Sequence, residues 1–193
     1  MQKIPTLFLR DHDDPRRPLT DQVNPECQWV IDGEGVATAK ADGTCVMFGG
    51  KDWFARREVK PGKQPPAGFI EVSGDVVTGK KMGWVPVDRS DPNFRYHVEA
   101  IDRYVEAWGR PAALTYELMG PKVQGNPMGL MDHRLWRHDA LPKLHDAPRS
   151  FVDLREYLLG EPFTAQGWEG LVWHHPDGRR AKLKVKDLSR TTT

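Results

Sequence analysis

The sequence predicts an α+β fold with mostly antiparallel sheets. Short apolar and β-branched segments, bounded by Gly, Pro, Asp and Asn, come first along the chain. One strongly helix-periodic segment follows, and the chain then runs to a hairpin pattern near its end. These elements do not alternate as regular βαβ units, which argues against a parallel sheet.

The early strands are expected at "PTLFL" (5–9), "CQWVI" (27–31), "GVATAKA" (35–41), "TCVMF" (44–48) and "GFIEV" (68–72). "EVKPGKQPPAG" (58–68) reads as a Pro/Gly-rich loop. Phe94, Val98, Ile101, Val105 and Trp108 then recur at helical spacing, and Gly109 with Pro111 ends the pattern. "AALTYELMG" (112–120) returns to strand character. Ser150 opens a second helix, with Asp153 placed as in a capping box and Gly160 at its end. "GWEGLVWHH" and "RRAKLKVK" flank the turn "PDG" as a hairpin. Strand alternation puts Lys182, Lys184 and Lys186 on one face, with Glu169 brought close to that row.

At 193 residues the chain is long enough for one domain with a real core. The formal net charge of +1 argues neither for nor against nucleic acid, so any such partner has to be met by a local basic patch. Arg and Lys are dense from Arg179 to Arg190, and Lys51, Lys60, Lys63, Lys80 and Lys81 add further cations. The two cysteines, Cys27 and Cys45, form no CxxC pair, and the reading is a cytoplasmic protein with reduced thiols. Neither a signal-peptide pattern nor a membrane-spanning apolar run is visible.

Lys40 in "KADG" sits between a half-buried strand and a glycine turn. A lone string of this kind also describes a surface lysine beside a turn. A lysine amine is a nucleophile only when deprotonated, and its free pKa of ~10.4 leaves it an ammonium at neutral pH. Neighbouring cations or desolvation favour the neutral amine, and the lysine row is a source of such cations. The same row suits phosphate groups and the charge developing on a leaving pyrophosphate. Glu117 in "YELMG" and Glu169 in "WEGLVW" lie in apolar strands, where a lone carboxylate either faces solvent or serves a divalent cation or a ribose hydroxyl. His133, His138 and His145 fit no common zinc spacing, and His174 and His175 read as surface residues.

The order "KADG", "YELMG", "EGLV" and "KLK" resembles the covalent nucleotidyltransferase superfamily of polynucleotide ligases and messenger-RNA capping enzymes. "FARREVKPGKQ", "GWVPV", "ELMGPKVQGNPMGL" and "EGLVWHHPDG" narrow the likeness. They resemble the RNA ligase 1 family, the vertebrate-type 5′-to-3′ RNA ligases and their bacterial relatives. The likeness runs from about Trp29 to Leu188.

The resemblance implies an ATP-grasp-like adenylyltransferase fold, with residues 1–193 as a single minimal domain, no separate C-terminal domain and a monomeric chain. It implies that Lys40 takes AMP from ATP and releases pyrophosphate. AMP then passes to a 5′-phosphorylated RNA end, and a 3′-hydroxyl displaces it, with Mg²⁺ or Mn²⁺ assisting. Residue by residue, Lys40, Glu169, Lys182 and Lys184 are the expected catalytic set. Asp42, Gly43, Arg56, Arg57, Glu117 and Trp136 join Lys40, Lys182 and Lys184 in binding the nucleotide. Asp42, Glu117 and Glu169 are the expected metal carboxylates. Arg56 matches the family's arginine better than Arg57, because consecutive strand residues face opposite ways. Trp136 or His138 is the expected adenine-stacking residue. A DNA-end or capping-type acceptor, or a relative that binds nucleotide or RNA without catalysis, remains open at this point.

Overall fold

A computed structural model describes residues 4–76 and 78–189. In chain order the elements are β1 (Phe8–Arg10), β2 (Leu19–Val23), α1 (Gln28–Ile31), β3 (Val36–Lys40), β4 (Thr44–Phe48), β5 (Trp53–Val59) and β6 (Ile70–Gly74). They continue with β7 (Lys81–Pro86), α2 (Arg95–Trp108), β8 (Thr115–Met119), β9 (Arg134–Arg137), β10 (Lys143–Leu144), α3 (Phe151–Leu159) and α4 (Glu161–Thr164). Last come β11 (Gly170–His174), β12 (Arg180–Lys184) and α5 (Val185–Leu188). The fold is mixed α and β, and the strands within every sheet pair antiparallel. No helix among the described residues is long and apolar enough to cross a membrane.

The chain divides into two compact units. Asp42–Ala140 carries a six-stranded sheet in the order β6-β7-β5-β4-β8-β9. Helix α2 forms where the apolar spacing places it: Asp91 caps the turn before it, and Gly109, at φ 71°, ends it. Its Ala100 and Ile101 bury against Val46, Phe48, Tyr116, Leu118 and Leu135 on one face of the sheet. The opposite face follows from register. Cys45 pairs with Glu117, Glu117 with Trp136, and Arg56 with Trp84, so alternation turns these side chains away from the α2 core.

The second unit joins residues 4–41 to 141–189. Its four-stranded sheet has the order β10-β3-β11-β12, beside the small β1-β2 pair. Gly170 pairs with Lys40 on one side and Lys184 on the other, and Val172 likewise lies between Thr38 and Lys182. Paired residues share a face, so Lys40, Lys182 and Lys184 point the same way. The alternate positions Ala39, Leu171 and Leu183 face the core, with Leu154 and Leu158 of α3 also fully buried. Ser150 caps α3 by accepting from the Asp153 amide, as the sequence predicts.

Four expectations are corrected. "CQWVI" is not a strand: Asn24 accepts from the Glu26 amide, Pro25 opens a helical turn, and α1 follows. Five apolar-rich residues carry too little periodicity to separate the two states. Glu169 is not within a strand but just before β11. Lys186 is not on β12, because the chain turns into α5 at Val185. His174 and His175 are not surface residues. His174 is half-buried with its Nε2 3.1 Å from the Thr38 hydroxyl, and His175 Nε2 lies 2.6 Å from Glu34.

Candidate functional site

Two side-chain clusters are candidates, one in each unit. The first is built on the row Lys40–Gly170–Lys184 of the four-stranded sheet. The middle residue has no side chain. A Cβ at Gly170 would collide with the Leu183 carbonyl oxygen and lie 2.8 Å from the Lys184 Cα, so this glycine is required for close strand packing. The two lysines therefore flank a gap, and the Glu169 carboxylate fills it. Lys40 donates to Glu169 Oε2 and Lys184 to Oε1, while the Lys186 ammonium lies 3.4 Å from Oε1.

The backbone fixes Glu169 in place. Its N–H donates to the Lys40 carbonyl at 2.7 Å, and its own carbonyl accepts from Val185 at 2.9 Å. Its side chain is only 8% exposed, against 21% for Lys40 and Lys184. Burial pushes the carboxyl up. The Lys40 and Lys184 ammonium groups, through charge and hydrogen bonding, outweigh that and hold it at about 2. Glu169 is thus a firm anion among cations, and an oxygen donor of the type that hard divalent cations take.

Lys182, Lys184 and Lys186 line one cavity of about 590 Å³ together with Arg10 and His12. Arg10 also pairs with buried Asp187 at 2.6 Å. Strand alternation presents Lys182 and Lys184, and the turn into α5 adds Lys186. These three lysines border one cavity, whose lining also includes Glu26 and Asp187, and a basic border of this kind suits an anionic group.

The second cluster lies in Asp42–Ala140. Glu117 is buried, and its Oε2 lies 2.8 Å from His138 Nε2. His138 Nδ1 lies 2.9 Å from the Thr115 hydroxyl. Gly43 packs tightly here, since a Cβ on it would collide with the Leu118 carbonyl and come within 2.8 Å of Glu117 Cγ. The glycine is needed for that approach to β8, and it is not among the positive-φ residues. Arg56 is half-buried, its guanidinium 5.2 Å from the centre of the Trp84 ring, on the same sheet face as Glu117. Arg57 is exposed and faces the other way. Asp42 is half-buried just before β4. Trp136 pairs with Glu117 across β8–β9 and is half-buried.

The three separated histidines do not meet. His133 is buried, stacked on Tyr96 at 4.3 Å and 2.8 Å from Glu99, while His145 is exposed. Several cations of the expected basic surface are neutralised locally: Lys80 by Glu58, Lys81 by Glu71, and Arg179 by Asp177. Arg190 lies outside the described residues. Sequence reasoning brought Glu169 near the lysine row but missed that Lys186 reaches it from α5, and it missed the gathering of Cys45 and His138 around Glu117. Both depend on register and chain turns rather than on spacing.

No protein-family model matches the chain, and no curated protein matches it. Among solved structures, it is similar to an apo Lys-to-Ala mutant of an RNA ligase from Naegleria gruberi, at 15% identity and a TM-score of 0.39. That match covers 98% of this chain and 63% of the ligase chain. It is also similar to a Lys-to-Met mutant of a Naegleria gruberi RNA ligase with AMP and Mn, at 16% identity and a TM-score of 0.39. Here the cover is 97% of this chain and 61% of the other. The chain thus spans little more than three-fifths of either ligase. At this level of likeness, function has to be read from the chain's own residues.

Proposed function

We propose that this chain is an ATP-dependent nucleotidyltransferase with an ATP-grasp-like fold, and that it acts as an RNA ligase through AMP bound covalently to Lys40. The observation that carries the reading is the convergence of Lys40, Lys184 and Lys186 on the single buried carboxylate of Glu169. A structural ion pair needs one cation. Three cations around one anion leave positive charge for an incoming phosphate chain.

Lys182, Lys184 and Lys186 hold the phosphates of ATP. The polyphosphate competes with Glu169 for the ammonium groups, and Lys40 is released from its carboxylate partner. The Lys40 ammonium gives up a proton to solvent, a loss that the neighbouring cations favour, and the neutral amine attacks the α-phosphorus, shedding a second proton to solvent afterwards. An N–P bond forms, the bond to the bridging oxygen breaks, and pyrophosphate leaves with that electron pair. Lys184 stabilises the charge that develops on the leaving oxygens. Glu169 is a fitting ligand for Mg²⁺ or Mn²⁺, which when bound neutralises phosphate charge. AMP passes next to a 5′-phosphate RNA end, and a 3′-hydroxyl end displaces it. Arg56 contacts phosphate, Asp42 meets metal-bound water, Glu117 serves the ribose or a metal, and Trp136 stacks on adenine, as the sequence resemblance implies.

The test is transfer of label from the α-phosphate of ATP to the protein. Wild type becomes labelled, whereas Lys40→Ala and Lys40→Arg do not. Sealing of a nicked RNA, but not of the matching DNA, by the labelled protein identifies the acceptor. Label retained on Lys40→Ala, or equal use of GTP and ATP, contradicts the reading.

A further inference from the structure

Among the described residues, Cys45, Glu117 and His138 bring a sulfur, a carboxylate oxygen and an imidazole nitrogen within 4.8 Å of one another. These residues are remote in sequence. The β4–β8 register sets Cys45 opposite Glu117, and the turn at His138–Ala140 carries the imidazole back onto β8. We propose that this cluster is a transition-metal site of zinc type, with three protein ligands and an open fourth position.

The donor chemistry favours that class. A thiolate and an imidazole select zinc over magnesium, which prefers an all-oxygen shell. Three N, O and S ligands with one open position are the pattern of an accessible zinc site. Charge balances too: a thiolate and a carboxylate carry two negative charges against the two of the ion, with the imidazole neutral. Without metal, His138 Nε2–H donates to Glu117; with metal on Nε2 the imidazole takes the Nδ1–H tautomer, for which the Thr115 hydroxyl is the acceptor. An outer hydrogen bond of this sort fixes a ligating imidazole. Metal takes the place of the Nε2 proton between Glu117 and His138; that proton leaves to solvent while Nδ1 takes one up, and the Cys45 proton is released to solvent. Cys45 forms no disulfide. The other cysteine, Cys27, is fully buried, and burial pushes its thiol up to about 11, which makes it a poor competitor for metal. The inference stands apart from adenylylation at Lys40, and it gives Glu117 a direct ligand role in place of a ribose contact.

Full-length protein, reduced and stripped with chelator, is titrated with Co²⁺ alone. One equivalent is expected to bind with a thiolate-to-cobalt charge-transfer band, and Zn²⁺ is expected to displace it. Cys27→Ser keeps the band, Cys45→Ser abolishes it, and His138→Gln loses stoichiometric binding. Thr115→Val weakens binding by about 10–100-fold. The chain has two cysteines, so the Cys27→Ser result locates the sulfur ligand even if the Cys45 variant fails to fold. Folded wild type without the band overturns the proposal, and so does a band that disappears with Cys27→Ser. ATP labelling of Lys40 is read separately, and its outcome leaves this result intact.

Discussion

Lys40 and Glu169 are joined twice, by the ammonium on Oε2 and by the Glu169 amide on the Lys40 carbonyl at 2.7 Å. The backbone bond fixes where the carboxylate starts, so the side-chain bond has little freedom to miss. Lys40→Arg keeps a cation for Glu169 but removes the primary amine. It is expected to keep its melting temperature within about 3 °C of wild type, while forming no AMP adduct. Calorimetry beside the labelling assay separates the two effects.

Glu169 makes stability depend on acid. Its carboxyl is held at about 2, below its ordinary value of 4.5, so it binds protons more readily unfolded than folded. Its contribution is therefore complete above the unfolded value and is lost as pH falls through the folded one. Allowing for solvent screening at the lysine tips, that contribution is about 1–3 kcal/mol. Urea melts of wild type and Glu169→Gln are expected to differ by this amount at neutral pH and to converge between about pH 5 and pH 2.

Gly170 carries the sheet through the lysine row. Gly170→Ala drives a methyl group into the Leu183 carbonyl and the Lys184 Cα. A loss of about 2–4 kcal/mol is expected, because backbone atoms on both strands have to shift. Chemical denaturation measures it, and an unchanged midpoint contradicts the packing role.

Arg56 and Arg57 are neighbours on opposite faces of β5. If Arg56 meets a phosphate, Arg56→Ala lowers kcat/KM for adenylylation by the equivalent of about 1.5–3 kcal/mol. Exposed Arg57→Ala stays within about 0.5 kcal/mol. Equal effects contradict the assignment by strand face.

The terminal hairpin was legible because "AKLKVK" alternates and "PDG" turns. Helix α2 was legible because five apolar residues repeat at its period. The nearness of Glu169 to the lysines followed from the same hairpin. The place of Lys186 did not, since α5 starts where the Val185 amide bonds the Glu169 carbonyl, a contact across the hairpin. Nor did the Cys45–Glu117–His138 group, whose members meet only once β4 has found its register on β8. Local pattern fixes elements, whereas the meeting of side chains depends on how those elements pair.

The central claim is that Lys40 becomes covalently adenylylated. Its most direct test is intact mass and peptide mapping of protein first stripped of bound AMP, then incubated with ATP and magnesium. The account predicts an AMP-sized gain on the peptide that contains Lys40, released on adding pyrophosphate. ATP binding without any gain, or a gain on another residue, contradicts it.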